Sequence, residues 1–252
     1  MVDIHSHILH GVDDGARTLD DSLAMLRLAA EHGTTDIVAT PHANSTYPFD
    51  PAVLNSRFDE LAARHTGLPR IHRACDFHLA AINIRLALEN PAPYSVNGGR
   101  YLMVELPEMF HAAAMEEVLR QFTAHGVICV ITHPERNPVL QKSPDILARW
   151  VRNGCLSQLT AMSLTGGFGP STRAIAWQML RDGHCHFVAS DAHDTEYRPP
   201  LLDSARALLD QEIGPELSTL LLVEHPRAVI ENRVFPMEVA PLPKSKKWYR
   251  FW

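Results

Sequence analysis

The sequence predicts an α/β fold in which seven parallel strands form a barrel. Short strand-like runs alternate with longer helical stretches between residues 2 and 190. An alternating order of this kind is typical of a parallel sheet, either doubly wound or closed into a barrel. Six of the seven predicted strands deliver a His, Asp or Glu at the same end. This favours the barrel, because its active sites lie on the face where the carboxyl ends of the strands converge.

Several predicted strands are near-continuous apolar runs, as expected for parallel strands that are covered on both faces. The seven segments, in chain order, are VDIH (2–5), TDIVAT (35–40), IHRAC (71–75), YLMVE (101–105), VICVIT (127–132), CLSQLT (155–160) and HCHFVAS (184–190).

Helical patterns lie between and after these strands. Asp50 is the expected N-cap of the second helix, with Pro51 at its first position, and Gly126 and Gly154 follow two later helices. The predicted helices span 19–32, 51–65, 112–125, 144–153, 171–182, 201–212, 215–222 and 226–232.

Composition narrows the class of protein. The 252 residues are 46% hydrophobic and 21% charged, which suits a globular protein with a core, and an α/β barrel of this length is commonly one unit. The net charge of −6 argues against a general nucleic-acid-binding surface. No apolar run reaches the ~20 residues of a membrane span, and no secretory signal is evident. The four cysteines are widely spaced and are expected to be buried thiols of a cytoplasmic protein.

The polar residues at the strand ends form a coherent ligand set. Imidazole and carboxylate groups bind Zn²⁺, Mn²⁺ and Fe, and sets rich in carboxylates favour harder ions such as Mn²⁺. Nine candidates are too many for one ion and suit two or three, which together activate water and hold a phosphoryl group. The candidates are His5, His7, Asp14, His42, Asp76, Glu105, His133, Asp191 and His193.

Other histidines have structural interpretations. His32, His65 and His125 end predicted helices, where a positive charge is favourable. His184 and His186 lie at the opposite end of the last strand from the candidate site. We expect no metal-binding role for any of them.

With these residues in view, the chain resembles the PHP (polymerase and histidinol phosphatase) superfamily. Within it, the chain is most similar to the manganese-dependent protein-tyrosine phosphatases of bacterial capsule and exopolysaccharide operons. The resemblance covers about residues 1–235, and it implies that they form a single barrel domain followed by a tail over 236–252. It rests on "DIHSHILHGVDDGA", "TPH", "CDFHL", "VELP", "THPERN", "QLTAMSLTGGFG" and "SDAHDTEYRPP".

This resemblance implies a distorted TIM-like barrel of seven β/α units with a trinuclear site. It implies one metal held by His5, His7 and Asp191, with Asp76 bridging to a second that Glu105 and His133 complete. Asp14, His42 and His193 would hold the third. Arg136 and Arg198 fall where the family binds phosphate, and a guanidinium fork suits phosphoryl oxygens.

Two positions depart from the usual family pattern. The family usually has Glu where this chain has Asp76, whose side chain is one methylene shorter, and Pro is common at the position of His10. We assign no role to His10.

The implied reaction is hydrolysis of phosphotyrosine with two or three divalent ions, Mn²⁺ first and Fe, Zn²⁺ or Mg²⁺ as alternatives. His42 is a candidate proton donor, although a phenol with a pKa of ~10 needs little help to leave. No cysteine lies in a C-x₅-R loop, which disfavours a cysteinyl-phosphate route.

The implied substrate is the phosphotyrosine tail of a membrane tyrosine autokinase that controls polysaccharide export. Loops 43–50 and 194–200, with Tyr47, Phe49 and Tyr197, are expected to form the mouth of the site. The tail over 236–252 mixes four cations with aromatic residues. Contact with anionic lipid at the inner face of the membrane, docking on another subunit, and disorder all stay open for it.

Three rival functions stay open at this point. An amidohydrolase barrel also opens with a His-x-His pair, but it usually needs a Lys on strand four, where this chain has Glu105. A PHP phosphoesterase acting on a small molecule would share the metal site. A weakly active protein that only binds phosphotyrosine is suggested by Asp76 alone.

Overall fold

The computed structural model describes residues 1–234 and Pro241, and the basic-aromatic tail lies outside the described residues except for Pro241. Each predicted strand segment overlaps one observed strand, and two short strands that were not predicted, β3 and β5, follow the second and third segments. The observed strands are β1 (Val2–Ser6), β2 (Asp36–Ala39), β3 (His42–Ala43), β4 (Arg70–Arg73), β5 (Asp76–His78), β6 (Tyr101–Glu105), β7 (Ile128–Thr132), β8 (Leu156–Thr160) and β9 (Phe187–Ala189).

The strands form two parallel sheets, ordered β1-β2-β4 and β3-β5-β6-β7-β8-β9. The chain passes from β2 into β3 through Pro41, and from β4 into β5 through Ala74 and Cys75. Two backbone hydrogen bonds join the segment just after β9 to the end of β1. Asp191 N donates to His5 O at 2.9 Å, and His7 N donates to Ala192 O at 2.7 Å. The sheets therefore follow each other around a distorted α/β barrel, as predicted, rather than forming one continuous closed sheet.

Helices cover the outer faces of the sheets. All eight predicted helical segments contain observed helix, whereas α3 and the short α5 and α7 were not predicted. The observed helices are α1 (Leu19–Glu31), α2 (Pro51–Arg64), α3 (Ala81–Glu89), α4 (Ala112–Ala124), α5 (Pro138–Lys142), α6 (Pro144–Arg152), α7 (Ala161–Thr165), α8 (Gly169–Arg181), α9 (Asp203–Ile213), α10 (Pro215–Thr219) and α11 (His225–Ile230). A π-helical turn, Leu220–Glu224, connects the last two.

The helix ends follow the local sequence. The Asp50 side chain accepts hydrogen bonds from Ala52 N and Val53 N, which confirms the predicted N-cap of α2. At the start of α1, Thr18 and Asp21 form a reciprocal capping box. These caps fix where each helix leaves the barrel rim, and so they fix the loops that carry the site.

The core lies beneath the polar residues. Met103, Val130 and Leu156 are fully buried, and each precedes a polar strand residue by two positions. Alternate residues of a strand share a face, so these apolar side chains fill the interior below the polar ones. The four cysteines are buried and unpaired among the described residues, as predicted.

Candidate metal centre

The candidate ligands gather at the carboxyl ends of the strands. His5 lies on β1 and His7 directly follows it, and both are fully buried. Alternation along the extended chain aims both imidazoles into the same mouth. Glu105 ends β6, Asp76 begins β5, and His42 begins β3 beside Asp76 in the sheet register.

One group of side chains surrounds Asp14, in the loop after β1. Oδ1 of Asp14 lies 3.4 Å from Nε2 of His42 and 3.5 Å from Nε2 of His193. His7 joins these three, and ligand atoms of all four lie within 4.8 Å of one another. The structure thus brings together the three residues predicted for one ion and adds a fourth.

Two further groups share Asp76. Its Oδ2 lies 3.6 Å from Nε2 of His5 and 3.4 Å from Nδ1 of His42. His5, His7 and Asp76 form one group, and His42, Asp76 and Glu105 form the other. Although it is shorter than Glu, Asp76 reaches both groups, which is the geometry that a bridging carboxylate needs.

His133 and Asp191 lie at the edge of these groups. Oδ1 of Asp191 is 3.5 Å from Nε2 of His5 and 3.4 Å from Nε2 of His7, whereas Nε2 of His133 is 3.9 Å from Oδ2 of Asp76. Both residues have positive φ, 35° for His133 and 54° for Asp191. Such backbone conformations are uncommon outside glycine, and surrounding structure must hold them.

The site fits a divalent cation by a direct test. Among the described residues, four buried atoms that point into it have no hydrogen-bond partner: His5 Nε2, His7 Nε2, His42 Nδ1 and Asp76 Oδ2. An unpaired buried polar atom is costly, so native structures usually satisfy it with water or an ion. Facing ligand atoms here lie 3.4 to 3.6 Å apart, which is wide for a hydrogen bond. It suits two atoms that each lie ~2.1 Å from one ion.

A second layer of contacts orients these ligands. Nδ1 of His7 pairs with Oδ2 of Asp13 at 2.7 Å, and Nδ1 of His5 pairs with Oε1 of Gln158 at 2.9 Å. The Thr132 hydroxyl donates to Oδ1 of Asp76 at 3.1 Å. Partners of this kind fix the ring orientation of metal-binding histidines. Sequence reasoning missed Asp13 and Gln158. Gln158 is a polar residue of CLSQLT (155–160), the one predicted strand to which no candidate ligand was assigned.

Electrostatics also favour a cation. Burial lowers the pKa of His5 to about 4, which leaves its imidazole neutral and able to bind metal at pH 7. Burial and the charge of Asp76 raise the pKa of Glu105 to about 7. Burial lowers the pKa of His7, but the Asp13 carboxylate outweighs burial and raises it to about 10. An ion bound at Nε2 of His7 would therefore displace a proton.

Two arginines border the cluster. Arg136 ends the 3₁₀ turn Pro134–Arg136, and Arg198 lies in the loop after β9. Nη1 of Arg136 and Nη2 of Arg198 both donate to Oδ2 of Asp191, the latter at 2.5 Å. Nε of Arg198 is buried and has no partner among the described residues, so this donor is available to an anion.

The loops that were expected to form the mouth do so in part. The Tyr47 ring stacks over His42 at 5.9 Å between centroids, and the Tyr197 side chain, which is 81% exposed, lines a cavity together with Asp14 and His193. Phe49 instead packs against Tyr94, with 4.3 Å between ring centroids. Only two of the three aromatic residues are therefore placed beside the site.

The remaining histidines keep the structural positions expected of them. His32, His65 and His125 cap the carboxyl ends of α1, α2 and α4. His186 is buried, and its Nδ1 accepts a hydrogen bond from Ser157 N at 3.1 Å. His10 pairs with Glu60, 3.1 Å away.

Comparison with protein families gives a match over almost the whole described chain. Residues 1–231 match the family described as capsular polysaccharide synthesis, CpsB/CapC. The chain is 33% identical over 255 residues to the tyrosine-protein phosphatase YwqE of Bacillus subtilis, with 98% of each chain covered. It is also 33% identical over 258 residues to the putative tyrosine-protein phosphatase CapC of Staphylococcus aureus, with 99% of each covered.

A solved structure shares the whole fold. It comes from work on YwqE of Bacillus subtilis and CpsB of Streptococcus pneumoniae, described as unique metal-dependent tyrosine phosphatases. The TM-score is 0.88 at 31% identity, and the alignment covers 96% of this chain and 99% of the other.

Proposed function

Since this chain belongs to the CpsB/CapC family of capsular polysaccharide synthesis, we propose that it is a metal-dependent protein-tyrosine phosphatase. The observation that carries the proposal is a set of imidazole and carboxylate atoms at the barrel mouth that have no hydrogen-bond partner among residues 1–234, bordered by two arginines. A cation site beside an anion site is what hydrolysis of a phosphate ester needs.

The chain would hold two or three divalent ions, with Mn²⁺ as the first choice and Fe, Zn²⁺ or Mg²⁺ as alternatives. The proposed ligand sets are His5, His7 and Asp191 for one ion, Asp76, Glu105 and His133 for a second, and Asp14, His42 and His193 for a third. Such ions lower the pKa of water toward neutrality and neutralise phosphoryl charge. The mixture of imidazoles and carboxylates supports this choice of metals.

Arg136 and Arg198 are proposed to bind the phosphoryl oxygens. Each guanidinium carries five N–H donors, and the contacts with Asp191 use only one nitrogen of each. The other donors remain for a phosphate, and a planar fork matches two of its oxygens.

His42 is proposed to act as a ligand rather than as a proton donor. Its Nδ1 faces Asp76 and Glu105 at 3.4 and 3.5 Å, and its Nε2 faces Asp14 at 3.4 Å. Both ring nitrogens thus point at candidate metal positions. The tyrosyl oxygen leaves without strong acid assistance, because phenol has a pKa of ~10.

A cysteine nucleophile is disfavoured by burial. Cys75, Cys129, Cys155 and Cys185 are at most 3% exposed, and none belongs to the metal-ligand groups found among the described residues. Burial also raises the pKa of each thiol, which opposes formation of the thiolate.

The proposed substrate is the phosphorylated, tyrosine-rich tail of a membrane tyrosine autokinase that controls capsule or exopolysaccharide export. The capsular family and the tyrosine-phosphatase names of the relatives support this choice. No helix within residues 1–234 is both long and apolar enough to cross a membrane. We place the reaction in the cytoplasm at the inner membrane face, where such a tail would be presented.

The test is hydrolysis of a phosphotyrosine peptide, a phosphoserine peptide and histidinol phosphate, each with Mn²⁺ and with chelator. We expect Mn²⁺-dependent release from phosphotyrosine that is lost in His5→Ala. Turnover of histidinol phosphate alone would favour a small-molecule phosphoesterase. Binding of the phosphotyrosine peptide without turnover of any substrate by metal-loaded protein would favour a regulator that only binds phosphotyrosine.

A further inference from the structure

Phe168 lies beneath both arginines of the site. Its ring centre is 4.6 Å from Cζ of Arg136 and 5.9 Å from Cζ of Arg198. The two cations come from different segments, the turn after β7 and the loop after β9. One half-buried ring is therefore the apolar surface that both guanidinium groups share.

The loop that carries Phe168 is held in place by its own backbone. Gly166 and Gly169 have φ of 98° and 87°, in the left-handed region that favours glycine. A Cβ at Gly167 would lie 2.7 Å from Cε of Met162, so this segment packs closely against the Met162 side chain. Hydrogen bonds from Gly167 N to Met162 O at 2.8 Å and from Gly169 N to Gly166 O at 3.0 Å close the segment.

Helix α8 braces the same segment from the outside. Arg173 Nε and Trp177 Nε1 both donate to the carbonyl oxygen of Leu164, at 3.2 and 3.1 Å. The ring of Phe168 is thus presented from a defined turn rather than from a loose loop. A fixed ring can in turn restrict the side chains that pack on it.

The side chains of Arg136 and Arg198 are flexible, and restricting them beforehand favours binding of an anion. An arginine loses up to ~2 kcal/mol of side-chain entropy when it is immobilised. Asp191 Oδ2 is the carboxylate oxygen that contacts both arginines. An aromatic face attracts a guanidinium without adding a negative charge or occupying its N–H donors. It can therefore orient both cations and leave their donors available for an anion.

We propose that Phe168 is a positioning residue that holds Arg136 and Arg198 in the orientation that binds the phosphoryl group. This inference rests on the proposed function, because it assumes that the two arginines bind the substrate. It goes further by assigning a role to the aromatic residue of the Gly-Gly-Phe-Gly segment.

The test compares Phe168→Leu, which removes the aromatic face, with Phe168→Tyr, which keeps it. In Mn²⁺-loaded protein we expect Phe168→Leu to lower kcat/KM for a phosphotyrosine peptide by about 3- to 30-fold, the range expected for contacts of this kind. Inhibition by inorganic phosphate should weaken in parallel, while bound metal and melting temperature stay close to wild type. Phe168→Tyr should stay within about 2-fold of wild type.

A matched control is Phe110→Leu, another half-buried Phe that packs against Trp150 instead of an arginine. It should leave kcat/KM unchanged. A double-mutant cycle with Arg136→Ala adds a second readout, because the Leu substitution should cost less once one of the two cations is absent.

Three results would overturn the inference: wild-type activity in Phe168→Leu, equal losses in the Leu and Tyr variants, or loss of bound metal in Phe168→Leu. A failure of the proposed function looks different. In that case Mn²⁺-loaded wild-type protein would itself leave the phosphotyrosine peptide uncleaved, whatever Phe168 does. Full phosphotyrosine turnover in both Arg136→Ala and Arg198→Ala would instead contradict the premise that these arginines bind the substrate.

Discussion

Nδ1 of His7 lies 2.7 Å from Oδ2 of Asp13, and this contact aims the other ring nitrogen of His7 into the candidate metal centre. The same carboxylate oxygen accepts a hydrogen bond from His42 N at 3.0 Å, and Oδ1 accepts one from Gly15 N at 3.0 Å. Asp13 therefore joins the loop after β1 to the start of β3. It orients one ligand through its ring and another through its backbone.

We expect Asp13→Asn to weaken Mn²⁺ binding by about 10- to 100-fold, the range seen when the hydrogen-bond partner of a metal-binding histidine is removed. Competitive metal titration measures this directly. Asp20→Asn, an exposed change in the first turn of α1, is the matched control and should bind metal as wild type does. Equal affinity in both variants would mean that Asp13 does not set the orientation of His7.

Gly15 lies in the same loop, and its backbone packs closely against His7. A Cβ at this position would lie 2.1 Å from the carbonyl oxygen of His7 and 2.5 Å from its Cβ, so Gly15→Ala must shift either the loop or His7. We expect a large loss of bound metal. Gly214→Ala, at φ 90° and far from such contacts, is strained but should lose only stability. If both variants load metal fully, the loop is more adaptable than its packing indicates.

The strands and most helices could be predicted because parallel strands with helices outside are buried on both faces. Their sequences are therefore apolar runs bounded by polar ones. Helix α3 was missed because Ala80, at its N-cap, makes no side-chain capping bond and because the helix begins soon after β5, which was itself not predicted. The short strands β3 and β5 were also missed, because their pairing depends on how the sheets twist around the barrel, which local sequence does not encode.

The nine candidate ligands could be proposed from the sequence because the strand ends of a barrel converge on one face. Their supporting residues could not. Asp13 and Asp14 are adjacent carboxylates, and only the loop folding back on His7 decides which one faces the metal centre. Gln158 is a neutral amide, and its contact with His5 depends on the register between β7, β8 and β9. The family resemblance drawn from the motifs is confirmed by the match over residues 1–231.

Asp76 is shared by two groups of ligands, so its charge should control how many ions bind. Asp76→Asn keeps the shape of the side chain and an acceptor for the Thr132 hydroxyl. We expect it to lower the number of Mn²⁺ ions bound per chain and to reduce phosphotyrosine turnover by more than about 100-fold. Elemental analysis after dialysis measures the stoichiometry. Asp182→Asn, an exposed change at the end of α8, is the control and should bind as much Mn²⁺ as wild type. If Asp76→Asn also bound as much Mn²⁺ as wild type, a bridging role for Asp76 would be excluded.

Bound metal should also stabilise the fold, because it would satisfy buried atoms that have no hydrogen-bond partner within the described part of the chain. At a free Mn²⁺ concentration of about 100 times Kd, one site contributes ~2.7 kcal/mol. For a chain of this size that corresponds to a rise of about 5 to 10 °C in melting temperature. Scanning calorimetry of stripped and reloaded protein measures the shift.

Two variants separate metal binding from phosphate binding. His5→Ala should lose much of the metal-induced rise in melting temperature, since it removes a ligand. Arg136→Ala should keep the rise yet turn over phosphotyrosine poorly, because Arg136 is proposed to bind the phosphoryl group and not the metal. A melting temperature that is insensitive to chelator in wild-type protein would contradict the site itself.

Asp36 provides a pH-dependent contribution to stability at the opposite end of the barrel. It begins β2, and its carboxylate accepts hydrogen bonds from Arg70 at 2.8 and 2.9 Å and pairs with Nε2 of His72 at 3.1 Å. Burial raises the pKa of Asp36, but these partners outweigh burial and lower the pKa from 3.8 to about 2. A carboxyl group whose pKa is lowered by folding stabilises the protein above its unfolded pKa, and this contribution is lost as the pH falls through the folded pKa.

We therefore expect Asp36→Asn to reduce the free energy of unfolding by about 1 to 2 kcal/mol at pH 7, a value discounted because the Arg70 side chain is 59% exposed to solvent. The difference from wild type should stay constant down to about pH 4 and then shrink toward pH 2. Urea denaturation of metal-free protein between pH 7 and pH 3 measures it. Asp145→Asn, an exposed carboxylate 3.8 Å from Arg149, is the matched control and should change stability by less than about 0.5 kcal/mol. If the difference in free energy of unfolding between Asp36→Asn and wild type instead stayed the same between pH 4 and pH 3, the stability would come from hydrogen bonds that the amide cannot replace, and not from the charge of Asp36.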